Sequence, residues 1–94
     1  MEYINKVELS GVIAEIRTSE RGTNFVMIKQ NVTFGGVERV RLFETLINAE
    51  RKDLIDQIAV DKKVKVYGVL TIFRVRKFNI HKMLLEIDKI EPLE

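Results

Sequence analysis

Val64-Lys65-Val66-Tyr67-Gly68-Val69-Leu70-Thr71-Ile72-Phe73-Arg74-Val75 decides the fold class. Val64, Val66, Gly68, Leu70 and Ile72 fall on one face, and Lys65, Tyr67, Val69, Thr71, Phe73 and Val75 on the other. That period of two is a long β-strand with two working faces. Downstream, Lys77-Phe78-Asn79 makes a turn, and a partner strand runs through Met83, Leu85 and Ile87 toward Ile90. From Lys62 to Leu85 the chain carries Lys62, Lys63, Lys65, Arg74, Arg76, Lys77 and Lys82 and no Asp or Glu. The rest of the chain holds the other nine basic residues against all 14 acidic ones, so a formal charge of only +2 conceals a concentrated positive stretch. Two strands with a solvated basic face would account for it, and so would a surface that meets a polyanion.

Working back from this hairpin, Leu46 to Ala59 changes period. Leu46, Ala49 or Glu50, Leu54 and Ile58 make a helical stripe, with Asn48 or Thr45 available to cap its start. Before it, the spacing predicts a third strand from Val37 to Phe43, a short Phe34-Gly35-Gly36 connection, and a second strand from Asn24 to about Val32. Val7, Leu9, Gly11 and Ile13 alternate along a long first strand, and Gly11 marks a bulge or bend within it. Ser19-Glu20-Arg21-Gly22 is the turn out of that strand. Five strands with one helix between the third and fourth is the element order of the OB-fold, a small Greek-key barrel. The expectation is a mainly β chain, residues 1–94 forming one such domain.

Composition narrows the chemistry. Of the 94 residues 46% are apolar and 32% charged, the balance of an ordinary globular chain. Without cysteine there is no disulfide framework and no thiolate metal site, and one histidine rules out a multi-histidine metal centre. No phosphate-binding Gly-Lys loop, elbow serine or paired carboxylates are evident, so the chain reads as no enzyme and as needing no cofactor. No apolar run is long enough to span a membrane, and the start lacks a signal layout; a cytoplasmic protein is the expectation.

Three segments resemble one family, the bacterial single-stranded DNA-binding proteins and their primosomal replication protein B relatives. Asn5-Lys6-Val7-Glu8-Leu9-Ser10-Gly11 is similar to the family's opening strand, and Arg39-Val40-Arg41-Leu42-Phe43 to its third. Val64-Lys65-Val66-Tyr67-Gly68-Val69-Leu70 is similar to its fourth. The departures are Val37 and Val75, where the family usually has tryptophan, and Glu44-Thr45 in place of Gly-Lys. The family's long glycine-rich, acidic C-terminal tail has no counterpart before Glu94, so tail-mediated recruitment is not implied.

The resemblance implies single-stranded DNA as partner, a dimer or tetramer with the first strand as interface, and association with the nucleoid and with replication, recombination or repair proteins. It makes Phe43 the ring that stacks on a base, with Arg39 and Arg41 beside it on the outer face and Val40 and Leu42 inward. The competing reading turns Phe43 into the barrel end beneath the helix. Thr71 and Phe73 lie on the face where the family's fourth strand meets DNA; partial burial or a subunit contact competes for Phe73. Phe34 and Phe78 are loop aromatics that either clasp a strand or anchor their loops, and Phe25 is platform or core. Lys29, Arg74, Arg76, Lys77 and Lys82 are candidate phosphate contacts. Two other functions fit the same barrel: a protein-interaction module of a primosome-like complex with weak nucleic-acid binding, and RNA binding of the cold-shock kind, whose aromatic-glycine signature is not visible.

Overall fold

A computed structural model describes residues 3–93. Its elements are β1 (Val7–Thr18), β2 (Asn24–Phe34), β3 (Val37–Ile47), α1 (Lys52–Ile55), β4 (Lys63–Val75) and β5 (Ile80–Pro92). The strands close into a barrel in the order β1-β2-β3-β5-β4. This is the expected five-stranded OB barrel, with its helix between β3 and β4.

β1 is shared between two neighbours. Its first half pairs with β4, from Val7↔Gly68 to Val12↔Lys63, and its second half pairs with β2, from Val12↔Lys29 to Thr18↔Asn24. Gly11 sits at the changeover, where a Cβ would lie 2.5 Å from the Lys29 carbonyl oxygen. The irregularity expected near Gly11 occurs just beyond it, where the register slips between Ile13 and Glu15. The inward faces of the strands supply Ile13, Val26, Ile28, Ile47, Val64, Val66, Leu85, Ile87 and Ile90, all buried in one cluster. Thr45 is fully buried with them, and its hydroxyl satisfies itself by donating to the Val26 carbonyl at 2.8 Å.

The helix is much shorter than its stripe predicts, only Lys52 to Ile55. Leu46 and Ile47 instead prolong β3, because pairing with Phe25 and Asn24 buries both. Asn48 caps a turn and not the helix, since its side-chain oxygen accepts the Glu50 N–H at 2.9 Å. After one turn the chain is drawn to the barrel, where the Asp61 N–H donates to the Ile13 carbonyl. The stripe still does its packing work: Leu54 is buried, and Ile55 and Ile58 lie against the core.

The strand that carries Phe43 needs a second correction. Val26↔Thr45 and Ile28↔Phe43 are cross-strand neighbours, and neighbours share a face. Phe43, Thr45 and Ile47 therefore face the core, and Val40 and Leu42 face out, 60% and 58% exposed. Phe43 packs partly buried against the core cluster. The sequence-based orientation of this strand is inverted, because Val-x-Leu in a ribbon that outruns the barrel has no core to face.

Candidate nucleic-acid interface

Two hairpins extend beyond the barrel. β2 and β3 pair without a break from Asn24↔Ile47 to Phe34↔Val37, closed by Gly35 and Gly36 with φ of 60° and 78°. Positive φ at both central residues is the two-residue turn whose twist suits a hairpin, and glycine reaches it without strain. β4 and β5 pair as far as Val75↔Ile80, around a turn in which Asn79 has φ 51°. β3 and β5 run parallel but pair only at Thr45↔Leu85 and Leu46↔Glu86. Parallel strands start at the same end, so both tips project from one end of the barrel, and the ribbons separate below Thr45 and Leu85.

Alternation fixes what each face carries. With Val26 and Ile28 inward, Phe25, Met27 and Lys29 face out on β2; Val40, Leu42, Glu44 and Leu46 face out on β3. On the second ribbon Thr71↔Leu84 and Phe73↔Lys82 put Thr71, Phe73, Lys82 and Leu84 on the face continuous with them. Two contacts join the ribbons there. The Phe25 and Phe73 rings meet edge to face, centroids 5.4 Å apart and planes at 81°. Lys82 Nζ lies 2.8 Å from Glu44 Oε2.

The structure thus brings Lys29, Thr71, Phe73 and Lys82 onto one outer face. Arg39 and Arg41 leave β3 on the opposite side, exposed, with no ion pair among the described residues. Arg74 is likewise on the other side of its ribbon, opposite His81, and donates to Asn79 Oδ1 at 3.2 Å. Arg76, Lys77 and Phe78 form the β4–β5 tip, where Lys77 Nζ stands 5.6 Å from the Phe78 ring centroid. Phe78 and Phe34 are 65% and 66% exposed, so neither loop ring is anchored in the core. Phe43 is not on the outer face. Its place there is taken by Phe25, which the inward alternation of Val26 and Ile28 would have located.

Elsewhere several charges are tied up in pairs. On the β1–β4–β5 wall the Tyr67 hydroxyl donates to Glu91 at 2.7 Å, which raises the phenol's pKa. Hydrogen bonding to Tyr67 and the charge of Glu8 raise that of Lys65. Around α1, Arg51 bonds Asp53 and Asp88, holding the Asp53 carboxyl below its usual range. Among the described residues no group of three metal-ligating side chains occurs, and no helix is long and apolar enough to cross a membrane.

No family model and no curated protein matches the chain. Solved structures do. A small single-stranded DNA binding protein from Mycoplasma pneumoniae is similar over 98% of this chain and 96% of its own, at 25% identity and a TM-score of 0.80. The protein priB from Ralstonia solanacearum shares the fold at 18% identity and TM-score 0.59, covering 96% and 99% of the two chains. The Plasmodium falciparum SSB complex with ssDNA does so at 14% identity and TM-score 0.70, covering 100% and 98%. The chain resembles the single-stranded DNA-binding protein family in structure as it does in sequence.

Proposed function

We propose that this chain is a non-enzymatic single-stranded DNA-binding protein that coats exposed strands during replication, recombination or repair. The observation that carries the reading is the outer face of β2, β3 and the β4–β5 ribbon. It offers the Phe25–Phe73 pair as an aromatic floor, with Lys29 and Lys82 at its margins and the basic β4–β5 tip beyond. Flat apolar rings stack on any base, and flanking cations follow the phosphates without reading sequence. The likeness to the Mycoplasma pneumoniae single-stranded DNA binding protein supports the same ligand.

In this reading Arg74, Arg76 and Lys77 supply phosphate contacts at the tip. Phe78 and Phe34 close on the strand from the two turns, and Arg39 and Arg41 add charge along the reverse of the β2–β3 ribbon. Coating holds the strand extended and blocks re-pairing. A dimer or tetramer is the working form, and replication or recombination proteins are its partners in the cytoplasm. Anisotropy titration of labelled oligo-dT tests the reading, with duplex DNA of equal length as the comparison.

One observation favours a second reading, a protein-interaction module. Leu70, Ile72 and Met83 share the face of the β4–β5 ribbon opposite Phe73 and are 44%, 61% and 65% exposed. Exposed apolar side chains in a row mark a protein-facing surface. The two readings separate in the same titration, because a protein-interaction module binds oligo-dT only weakly.

A further inference from the structure

Among the described residues, Lys82 is the one candidate phosphate contact with an acidic partner. Its ammonium sits 2.8 Å from Glu44 Oε2, just past the last β3–β5 pair, where the two ribbons begin to separate. The two ends of the pair are unequal. The Glu44 side chain is 23% exposed and that of Lys82 44%. Glu44 borders a narrow recess with Phe25, Met27, Glu15 and Arg17, beside the aromatic floor. The carboxylate is therefore the more enclosed partner and the lysine the more accessible one.

A carboxylate offers an ammonium the same thing a phosphate does, anionic oxygens at charge-assisted hydrogen-bond distance. Lysine is a compact charge on a flexible stem and can exchange one such partner for the other. We propose that Glu44 is an internal competitor for Lys82, standing where a phosphate would bind and lowering the affinity and salt dependence of single-stranded DNA binding. The inference rests on the single-stranded DNA reading and deepens it. When a phosphate takes Lys82 from Glu44, the strand sheds a condensed cation, but the abandoned carboxylate gathers one in its place. Net counterion release from that contact is small.

Removing the carboxylate's charge exposes the competition. In Glu44→Gln, Lys82 neutralises a phosphate without leaving an anion behind. The log–log salt slope for oligo-dT steepens by about 0.7, and affinity at 0.1 M salt rises roughly fivefold, the factor such a slope gives relative to 1 M. Adding Lys82→Ala to Glu44→Gln removes both gains. A pair that only ties β5 to β3 behaves differently: Glu44→Gln then lowers the melting temperature with no steeper slope. Glu44→Ala, carried through the same titrations, guards against a glutamine that folds poorly. If the wild type binds oligo-dT but neither variant steepens the slope, or if the gain survives Lys82→Ala, the competition is refuted while the binding reading stands. If the wild type does not bind at all, both fall.

Discussion

Phe73 of β4 meets Phe25 of β2 edge to face, although the two strands are not neighbours in the barrel. The contact exists because the β4–β5 ribbon outruns the barrel and curls across the outer face of β2 and β3. Leu46 and Leu84, which face the same way, are only 6% and 3% exposed despite lying outside the core cluster. The barrel has a second small apolar layer on its outside, and the Phe25–Phe73 pair belongs to it.

Replacing either ring by alanine should weaken oligo-dT binding by about 1–3 kcal/mol, the worth of one stacked base, and leave the salt slope unchanged because no charge is removed. The same variants lose the aromatic pair, about 0.5–1.5 kcal/mol of folding stability beyond buried area. Anisotropy titrations at several salt concentrations, with urea melts alongside, separate the two effects. Phe43→Ala should act mainly through stability, since that ring packs against the core.

The β4–β5 tip should act through charge. Arg74, Arg76 and Lys77 changed together to alanine should flatten the slope by about 2, at about 0.7 per phosphate on a single strand, and weaken all sequences alike. A folded triple variant with unaltered slope and affinity would remove the tip from the interface.

Gly68 and Gly36 should fail for different reasons when changed to alanine. A Cβ at Gly68 would collide with the Glu86 carbonyl oxygen, where the β4–β5 register slips past Asp88. Separating two paired strands to admit it should cost about 3 kcal/mol or more. At Gly36 the space is open, and only its φ of 78° resists a side chain, about 1–2 kcal/mol. Urea denaturation midpoints at unchanged m-value should rank Gly68→Ala well below Gly36→Ala.

Strand order, barrel class and most core positions were legible because alternation survives wherever a strand has a core to face. Ile13, Val64 and Val66 show it. Alternation stopped informing where β3 left the barrel: Val40 and Leu42 look like inward residues, yet nothing lies beneath them. The helix misled in another way. Leu46 fits a helical stripe equally well, and only tertiary pairing with Phe25 assigns it to β3. The aromatic floor is a meeting of residues 48 positions apart, Phe25 and Phe73, and the Lys82–Glu44 pair spans 38. Such contacts follow from how far a hairpin overhangs, which local pattern does not encode.

Assembly is expected at the β1 end. Tyr3 and Ile4, ahead of β1, are 89% and 90% exposed, and Leu70, Ile72 and Met83 add an apolar row on the nearby ribbon. Asn5 closes part of the β4 edge itself, its amide exchanging two 2.9 Å hydrogen bonds with the Leu70 backbone. Beyond Leu70 that edge has no such cover from β1, and an exposed edge invites pairing. Light scattering at micromolar concentration should give a dimer or tetramer. A monomer would refute assembly.

Single-stranded DNA is the proposed ligand, lying along the basic, aromatic face. Equilibrium titration of the wild-type protein with oligo-dT, duplex DNA and RNA of one length, repeated across a salt series, tests it directly. About four phosphate contacts give a slope of roughly −3 for oligo-dT, with the duplex bound more weakly at every salt concentration. No binding to oligo-dT at low salt, or duplex bound as tightly as the single strand, would contradict it.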